Sequence, residues 1–483
     1  MNLTKKVIQV VKDNLLIELF TEELPPDSLE ILSNQFGETI ASELISRNLV
    51  AKSDFQTYAT PRRIAVNIKS VIDEAEDEEK LIKLMPYSVG FDKNNKPTQP
   101  LLKKISSIDE AIKTEDLEIK EDKGQKFIYV TKKIKGLKLE NGLNDIIKNS
   151  LQKLAIKKVM SYQLKDGWTS VNFARPMRGL IVLHGKQVLK ASVLGCTSSN
   201  TTLGHRFESN KETITIKHAD DYEKTLETDG NVIACFNNRK TKIKKDIKDT
   251  LAKLGEDFFI TEDEALTDEV TSLVEMPNIL IGNFEDKYLS IPEECLTLTM
   301  KTNQKYFPVF NRNTGLTNSF IIVSNISPKN SDQVIHGNEK VIRPRLADAE
   351  FFYDEDKKLG LTTFCKKLEN VIYHHKLGSQ KDRAERVAHK LLYLTKNLNL
   401  KFNIDPMELS LFSKADLLSL MVGEFPKLQG IMGRYYALNE NKNESFANAI
   451  EDHYKPRFSN DSLPRDELGF MLAIADKFTT LID

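Results

Sequence analysis

The sequence is poor in cysteine, has no long apolar run and carries almost no net charge. Its four cysteines are widely scattered, with neither a CxxC pair nor a metal-binding spacing: Cys196, Cys235, Cys295 and Cys365. This pattern predicts buried thiols in a reducing compartment and argues against a disulfide framework. No apolar run approaches the ~20 residues of a membrane helix, and the N-terminal residues lack a signal-peptide pattern. We therefore expect a cytoplasmic protein without a membrane segment.

The 69 basic and 70 acidic residues leave a net charge of −1, so the chain lacks the overall basic character of a nucleic-acid-binding protein. A local basic patch can still steer an anionic partner. The most basic segment, residues 239–248, fits a solvated surface helix as well as an RNA contact. The acidic segment, residues 73–79, indicates a solvated linker or helix face.

Motifs that bind nucleotide phosphates or activate a nucleophile are missing from the sequence. There is no GxxxxGK[ST] loop and no GxGxxG after a strand pattern, so no phosphate-cradling loop is predicted. There is also no GxSxG turn, and none of the cysteines lies in a recognisable catalytic context. We expect this chain to bind no ATP or other cofactor by itself.

The N-terminal residues 14–70 predict a small α/β unit. Residues 15–20 are rich in branched and aromatic side chains, which indicates a strand. Asp27 stands three residues before Glu30, the spacing of a capping box that begins a helix. Apolar residues then recur every three or four positions, as on one buried helix face. They are Leu29, Leu32, Phe36, Ile40 and Leu44. Two further strands, residues 55–58 and 64–68, flank Pro61.

Residues 71–355 alternate strand and helix patterns, which predicts a central α+β body. The strand-like segments are residues 127–131, 180–184, 213–216 and 320–323, and the helix-like segments are residues 142–154 and 240–254. Strand signals end near residue 362, and helical periodicity continues to residue 483. The sequence thus predicts a multidomain α+β protein, in which a mixed α/β body precedes an all-helical domain over residues 362–483. We place the boundary near residues 354–362, at the charged residues 354–358.

An arginine flanks Pro344 on each side, at Arg343 and Arg345. Because proline fixes its own φ and disfavours helix at the residue before it, this pattern predicts a stiff, extended backbone. A guanidinium held on such a backbone suits bidentate contact with a phosphate. The alternative is an internal ion-pair network with Asp348 and Glu350, and residue types alone favour that alternative.

Several strings occur in the order in which one protein family has them. They are residues 17–26 (IELFTEELPP), 59–63 (ATPRR), 173–176 (FARP), 204–207 (GHRF), 300–309 (MKTNQKYFPV), 337–352 (GNEKVIRPRLADAEFF), 373–387 and 472–477 (LAIADK). In these strings the chain closely resembles the beta subunit of the bacterial heterotetrameric glycyl-tRNA synthetase, a class II enzyme. The resemblance extends over essentially the whole sequence.

The resemblance implies that this chain binds tRNA(Gly) and supports an alpha subunit in an α2β2 heterotetramer. The alpha subunit is expected to bind ATP and Mg²⁺, make glycyl-adenylate and charge the tRNA. The family continues into an anticodon-binding domain after the helical region. The sequence given ends at Asp483, so we expect that domain to be missing from it.

The resemblance also points to residues that could contact tRNA, since RNA is recognised through phosphates, 2′-hydroxyls and stacked bases. The candidates lie in the matched strings: Arg62, Arg63, Arg175, His205, Arg206, Lys301, Lys305, Arg343 and Arg345. For the arginines, the alternative is a structural role, in which the guanidinium group pairs with polar groups inside the protein. His205 alone is more often a hydrogen-bonded structural histidine than a catalyst. We expect no catalytic residue in this chain.

The helical region resembles a degenerate HD domain, a fold whose active members hold a metal ion with histidines and aspartates. His374 and His375 could offer a first ligand, and Asp416 and Asp476 stand where aspartate ligands are expected. The position before Asp416 is Ala415 instead of a histidine. Losing one imidazole from such a site should abolish metal affinity. We therefore expect no metal here.

Part of the central body resembles the tRNA-editing type domain of phenylalanyl-tRNA synthetase beta chains. Because glycine is the smallest amino acid, larger ones can be rejected by size at activation, and editing is unnecessary. We expect that domain to be a structural or tRNA-contacting relic. Two other functions remain open: an HD-type metal phosphohydrolase, or an RNA-binding scaffold with no synthetase role.

Overall fold

Helices and strands alternate through most of the chain, which confirms the predicted mixed α and β architecture. The computed structural model describes residues 11–92, 94–108, 112–122 and 124–483. They form two units. Unit 1 contains the described residues up to Thr241 and the segment Glu269–Pro277, and unit 2 contains Lys242–Asp268 and Asn278–Asp483. Within the described ranges, no helix is long and apolar enough to cross a membrane.

Unit 1 is built mainly from strands. Its elements in chain order are β1 (Lys12–Thr21), α1 (Leu29–Ser46), β2 (Phe55–Thr60), β3 (Arg63–Ile72), β4 (Glu78–Pro86), α2 (Tyr87–Gly90), α3 (Gln99–Ile108), β5 (Leu117–Asp122), β6 (Gln125–Ile134), α4 (Leu139–Gln152), β7 (Met160–Gln163), β8 (Ser170–Phe173), β9 (Met177–His184), β10 (Gln187–Val188), β11 (Ser192–Val193), β12 (Cys196–Ser199), β13 (Thr201–Thr202), β14 (Ile214–Thr215) and α5 (Tyr222–Gly230). Two further helices, α6 (Phe236–Leu254) and α7 (Glu264–Leu273), each contain a boundary between the units.

The main sheet of unit 1 has the strand order β11-β12-β9-β1-β3-β2, with β10 paired to β9. Because successive side chains of a strand point to opposite faces, β1 contributes to two cores. Leu15, Ile17 and Leu19 pack in the core that includes α1, whereas Leu16 packs in the core on the other face. Glu18 has the same parity as Leu16 and is therefore buried with it, which places a carboxylate inside the protein.

Helix α1 confirms the predicted apolar face, since all five predicted residues are buried. The predicted capping box is wrong: the N-cap is Ser28, and no side chain caps the helix. The Asp27 carboxylate instead accepts hydrogen bonds from the Lys157 ammonium at 2.9 Å and the Ser28 hydroxyl at 3.2 Å.

Unit 2 combines a four-stranded sheet, β15-β17-β18-β16, with most of the helices. Its elements are β15 (Phe258–Phe259), β16 (Asn278–Asn283), α8 (Glu293–Gln304), β17 (Phe307–Asn311), β18 (Gly315–Ser324), α9 (Asp332–Leu359), α10 (Leu361–Lys367), β19 (Ile372–His374), β20 (Gly378–Ser379), α11 (Gln380–Asn397), α12 (Pro406–Ala415), α13 (Leu420–Glu424), α14 (Ile431–Asn439), α15 (Glu444–Asp452) and α16 (Glu467–Ile482).

The predicted extended backbone around Pro344 is wrong. Pro344 lies inside α9, a helix of 28 residues. Ile342, Leu346 and Ala349 are buried at helical spacing in the core of unit 2. A proline inside a helix loses one hydrogen bond, but packing of an apolar helix face supplies most helical stability in proteins. Burial of this face therefore outweighs the local preference of the proline.

The region after residue 362 is mostly helical but not all-helical, because β19 and β20 form a small two-stranded sheet. The predicted boundary at residues 354–358 falls inside α9. A single buried core extends from Phe284, which precedes that boundary, to Ala475, which follows it. The helices of unit 2 thus share a core with its sheet. The boundaries between the two units differ from the predicted domain boundaries.

Candidate nucleic-acid interface

Arg62 and Arg63, two predicted RNA contacts, are buried in unit 1. Both lie next to Glu275, with nitrogen–oxygen distances of 3.0 Å from Arg62 and 3.3 Å from Arg63. Arg63 also lies 3.5 Å from the Glu18 carboxylate, which accepts a hydrogen bond from Tyr222. Burial by itself would raise the pKa of Glu275, but the charges of Arg63 and Arg62 hold that pKa below its usual value. Both guanidinium groups are held inside unit 1 by carboxylates, which disfavours the RNA contacts predicted for Arg62 and Arg63.

Arg239, in the basic segment at residues 239–248, also pairs with polar groups inside the protein. Its guanidinium is fully buried and donates hydrogen bonds to the carbonyl oxygens of Ala59, Ile233 and Thr271. Burial lowers its pKa to about 10. At this position the surface-helix and RNA interpretations of the basic segment both fail.

His205 is buried and acts within its own turn. Its Nδ1 accepts hydrogen bonds from the backbone N–H groups of Phe207 at 3.3 Å and Glu208 at 3.1 Å. This geometry fits the structural role that the sequence favours for His205. The next residue, Arg206, is half-exposed and lies 3.7–3.8 Å from the carboxylates of Glu22 and Glu23.

A surface cleft of about 820 Å³ lies between the β7–β8 hairpin and the β9–β12 side of the main sheet. Lys165 and Arg178 line it, and Arg178 is 2.7 Å from Glu22, the same carboxylate that Arg206 approaches. Arg175 lies at the base of the hairpin and contacts the sulfur of Met160 at 3.7 Å. None of the nine predicted RNA contacts is a lining residue of the cleft; Arg175 precedes the lining residue Pro176, and Arg206 approaches the same carboxylate as the lining residue Arg178.

The hairpin also exposes Trp168, which the sequence reasoning missed. The ring is 91% exposed and is the only tryptophan in the chain. The signal was present in the sequence, because Asp166-Gly167 before Trp168 is typical of a hairpin turn. A tight turn at a hairpin tip projects the next side chain into solvent.

The predicted RNA contacts of unit 2 do not form one cluster of free cations. Lys301 pairs with Asp263 at 3.1 Å, and Lys305 ends α8 in a left-handed conformation with φ 59°.

Arg343 pairs with Glu285 at 2.5 Å, and neither Asp348 nor Glu350 is its partner. Arg345 is exposed on α9. The predicted pairing of Arg343 with Asp348 or Glu350 is therefore wrong.

A buried lysine in the helical region of unit 2 lies between a histidine and an aspartate. The Lys414 ammonium lies 2.7 Å from Nε2 of His453 and 3.2 Å from the Asp476 carboxylate. His453 Nδ1 donates to the carbonyl oxygen of Ile450, so Nε2 is the acceptor for Lys414. Burial and then the charge of Lys414 lower the pKa of His453 to about 3. The Asp476 carboxylate thus lies beside the Lys414 ammonium and, at 3.0 Å, the Arg383 guanidinium.

The predicted metal positions are not assembled. Asp416 is fully buried and accepts hydrogen bonds from the backbone N–H groups of Gly430 and Gly433, while burial raises its pKa to about 6. His374 and His375 are exposed on and after β19. Among the described residues, no group of histidine, cysteine, aspartate and glutamate side chains is arranged to hold a metal ion.

We expect elemental analysis of the purified chain to find no stoichiometric transition metal, because Lys414 neutralises Asp476 and Ala415 offers no ligand atom. A chelator should leave the unfolding temperature unchanged. One metal per chain, lost on Asp416→Ala, would contradict this expectation.

Comparison with known proteins gives the family. A model of the family described as glycyl-tRNA synthetase beta subunit matches residues 15–483. Proteins named glycine–tRNA ligase beta subunit from Janthinobacterium sp. (strain Marseille) and Delftia acidovorans are 46% and 45% identical to it over 97% of this chain. The chain belongs to the glycyl-tRNA synthetase beta-subunit family. A third such protein, from Nitrosomonas europaea, is 46% identical.

The resemblance read from the ordered strings is thereby confirmed. The matches cover 67% of the Janthinobacterium and Delftia proteins and 66% of the Nitrosomonas protein. This chain therefore spans about two thirds of the length of these beta subunits.

Proposed function

We propose that this chain acts in a glycine–tRNA ligase by binding tRNA(Gly) and supporting an alpha subunit. The alpha subunit would bind ATP and Mg²⁺, form glycyl-adenylate and transfer the glycyl group. The observation that carries the proposal is the family match over residues 15–483. An α2β2 heterotetramer in the cytoplasm is the assembly that we expect.

The sequence and the exposed cations support this division of labour. The chain has no glycine-rich loop of the kind that holds nucleotide phosphates at a helix N-terminus. Arg178 lines one cleft of unit 1, and Arg206 approaches the same Glu22 carboxylate as Arg178. Guanidinium groups of this kind suit contact with a phosphate backbone. Binding through such groups does not require an overall basic chain.

We further propose that the helical region of unit 2 is a degenerate HD domain that has kept its helices and lost its metal. The pairing of Lys414 with His453 and Asp476 supports this origin, since an internal cation would replace the lost metal charge. The same contacts disfavour the alternative function of an HD-type phosphohydrolase. An RNA-binding scaffold remains an alternative, and the next experiment separates it from a synthetase subunit.

The test is copurification of the chain with an alpha subunit of the same organism, followed by charging of tRNA(Gly) with glycine. We expect a stable complex that charges tRNA and a pure chain that shows no glycine-dependent pyrophosphate exchange. Affinity for tRNA should fall steeply with salt, because each phosphate contact releases counterions.

The alpha subunit alone is the matched control for charging. Pyrophosphate exchange by the pure chain would overturn the division of labour. Salt-dependent tRNA binding without association with the alpha subunit would favour the scaffold.

A further inference from the structure

The cleft of unit 1 is electropositive on its lining. Lys165 and Arg178 are its charged lining residues, and none of the described residues that line it carries a carboxylate. The nearest carboxylate described above, Glu22, contacts Arg178 and Arg206. The lining therefore favours an anionic ligand over a cationic ligand such as a basic peptide.

A buried hydroxyl group without a hydrogen-bond partner also belongs to the lining of this cleft. Thr197, Thr202 and Thr213 line the cleft, and the buried Thr202 hydroxyl has no hydrogen-bond partner among the described residues. Thr202 is only 6% exposed, and a buried hydroxyl that lacks a partner is unfavourable in free energy. Threonine hydroxyls in a cleft lining can pair with ribose hydroxyls and phosphate oxygens.

The Trp168 ring is presented on a fixed support. The Asp166 carboxylate accepts hydrogen bonds from the backbone N–H groups of Trp168 at 3.0 Å and Thr169 at 2.9 Å. Gly167 adopts φ +76° in the turn. At the other end of the hairpin, the Tyr162 hydroxyl donates to the carbonyl oxygen of Leu194 at 3.2 Å. The backbone is thus ordered before a ligand arrives, which lowers the entropic cost of binding. The ring itself has no aromatic or cation partner among the described residues.

We propose that this cleft and the Trp168 hairpin bind an unpaired strand of RNA. One base would stack on Trp168, and the adjoining phosphates would face Lys165 and Arg178. Stacking on a protein ring needs a base that is free of its own stack, so a duplex cannot make this contact. The inference rests on the proposed tRNA binding and extends it, because it names the part of the RNA that unit 1 holds.

The single tryptophan makes the test direct. The full chain is titrated with a single-stranded ribonucleotide oligomer of about six bases, and Trp168 fluorescence is followed. We expect saturable quenching that weakens as salt rises, and no quenching by the same sequence in a duplex. Labelled-oligomer anisotropy should show about tenfold weaker binding for Trp168→Ala and near-normal binding for Trp168→Phe, which keeps an aromatic face.

Tyr393→Ala is the matched control, because Tyr393 is an exposed aromatic residue on α11 in unit 2. It should leave oligomer affinity unchanged. Equal affinity for single strand and duplex, or unchanged affinity in Trp168→Ala, would overturn the inference. Quenching by the alpha subunit and not by RNA would show that the surface binds protein instead.

The charging assay separates the two proposals. If the oligomer fails to quench while the chain still binds tRNA(Gly) and supports charging, the cleft is not the RNA site and the proposed function stands. If tRNA binding and charging also fail, both proposals fall.

Discussion

Replacing Arg63 by alanine is expected to lower the free energy of unfolding of unit 1 by about 3–5 kcal/mol. Arg63 is fully buried between the carboxylates of Glu18 and Glu275. Its removal leaves the Glu18 carboxylate inside the protein with only the Tyr222 hydroxyl as a hydrogen-bond donor among the described residues. Urea unfolding followed by circular dichroism measures the loss, with native-state hydrogen exchange of the β1 and β3 amides as the local readout.

Arg345→Ala is the control for Arg63→Ala, because Arg345 is exposed on the surface of α9. A substitution at such a site should change stability by less than about 0.5 kcal/mol. If both variants unfold like the original protein, the buried ion-pair network does not hold unit 1 together.

The stability of the original chain is expected to rise by about 3 kcal/mol relative to Lys414→Met between pH 8 and pH 10.5. Burial lowers the pKa of Lys414 from 10.5 to about 8, against the opposing charge of Asp476. The folded chain thus releases this proton at lower pH than the unfolded chain does. The cost of the buried charge is complete below pH 8 and disappears as the pH rises to 10.5.

Urea unfolding of both proteins at four pH values across this range measures the difference. Lys396→Met is the control, because Lys396 is exposed near the end of α11. Its stability curve should run parallel to that of the original chain. Parallel curves for Lys414→Met as well would mean that Lys414 keeps its proton throughout the range.

Periodicity located many elements correctly because the local pattern and the tertiary packing agree there. The strand at residues 15–20 and the apolar face of α1 are examples, since both bury the residues that the pattern selects. The prediction at Pro344 failed because only local preference was considered. The buried side chains of Ile342 and Leu346 decide the conformation of that segment, and their packing partners are distant in sequence.

The candidate site was predicted less well than the fold. Arginine in a family string indicates importance but not exposure, and Arg62 and Arg63 lie inside the protein. No single string reveals the cleft that Lys165 and Arg178 line, because the strands that form it come together only in the sheet. The turn before Trp168 can be predicted from the sequence, but only the structure shows that the Trp168 side chain is exposed.

The sequence by itself determined the family, the mixed α and β composition and the absence of a recognisable phosphate-binding loop. These features depend on ordered strings and local patterns. Only the tertiary structure decided which charged residues are paired inside the protein and which are exposed. Glu18 and Glu275 are far apart along the chain, and their meeting at Arg63 depends on long-range packing. Likewise, Lys414 meets His453 and Asp476 only after the helices pack, because their spacing in sequence carries no local signal.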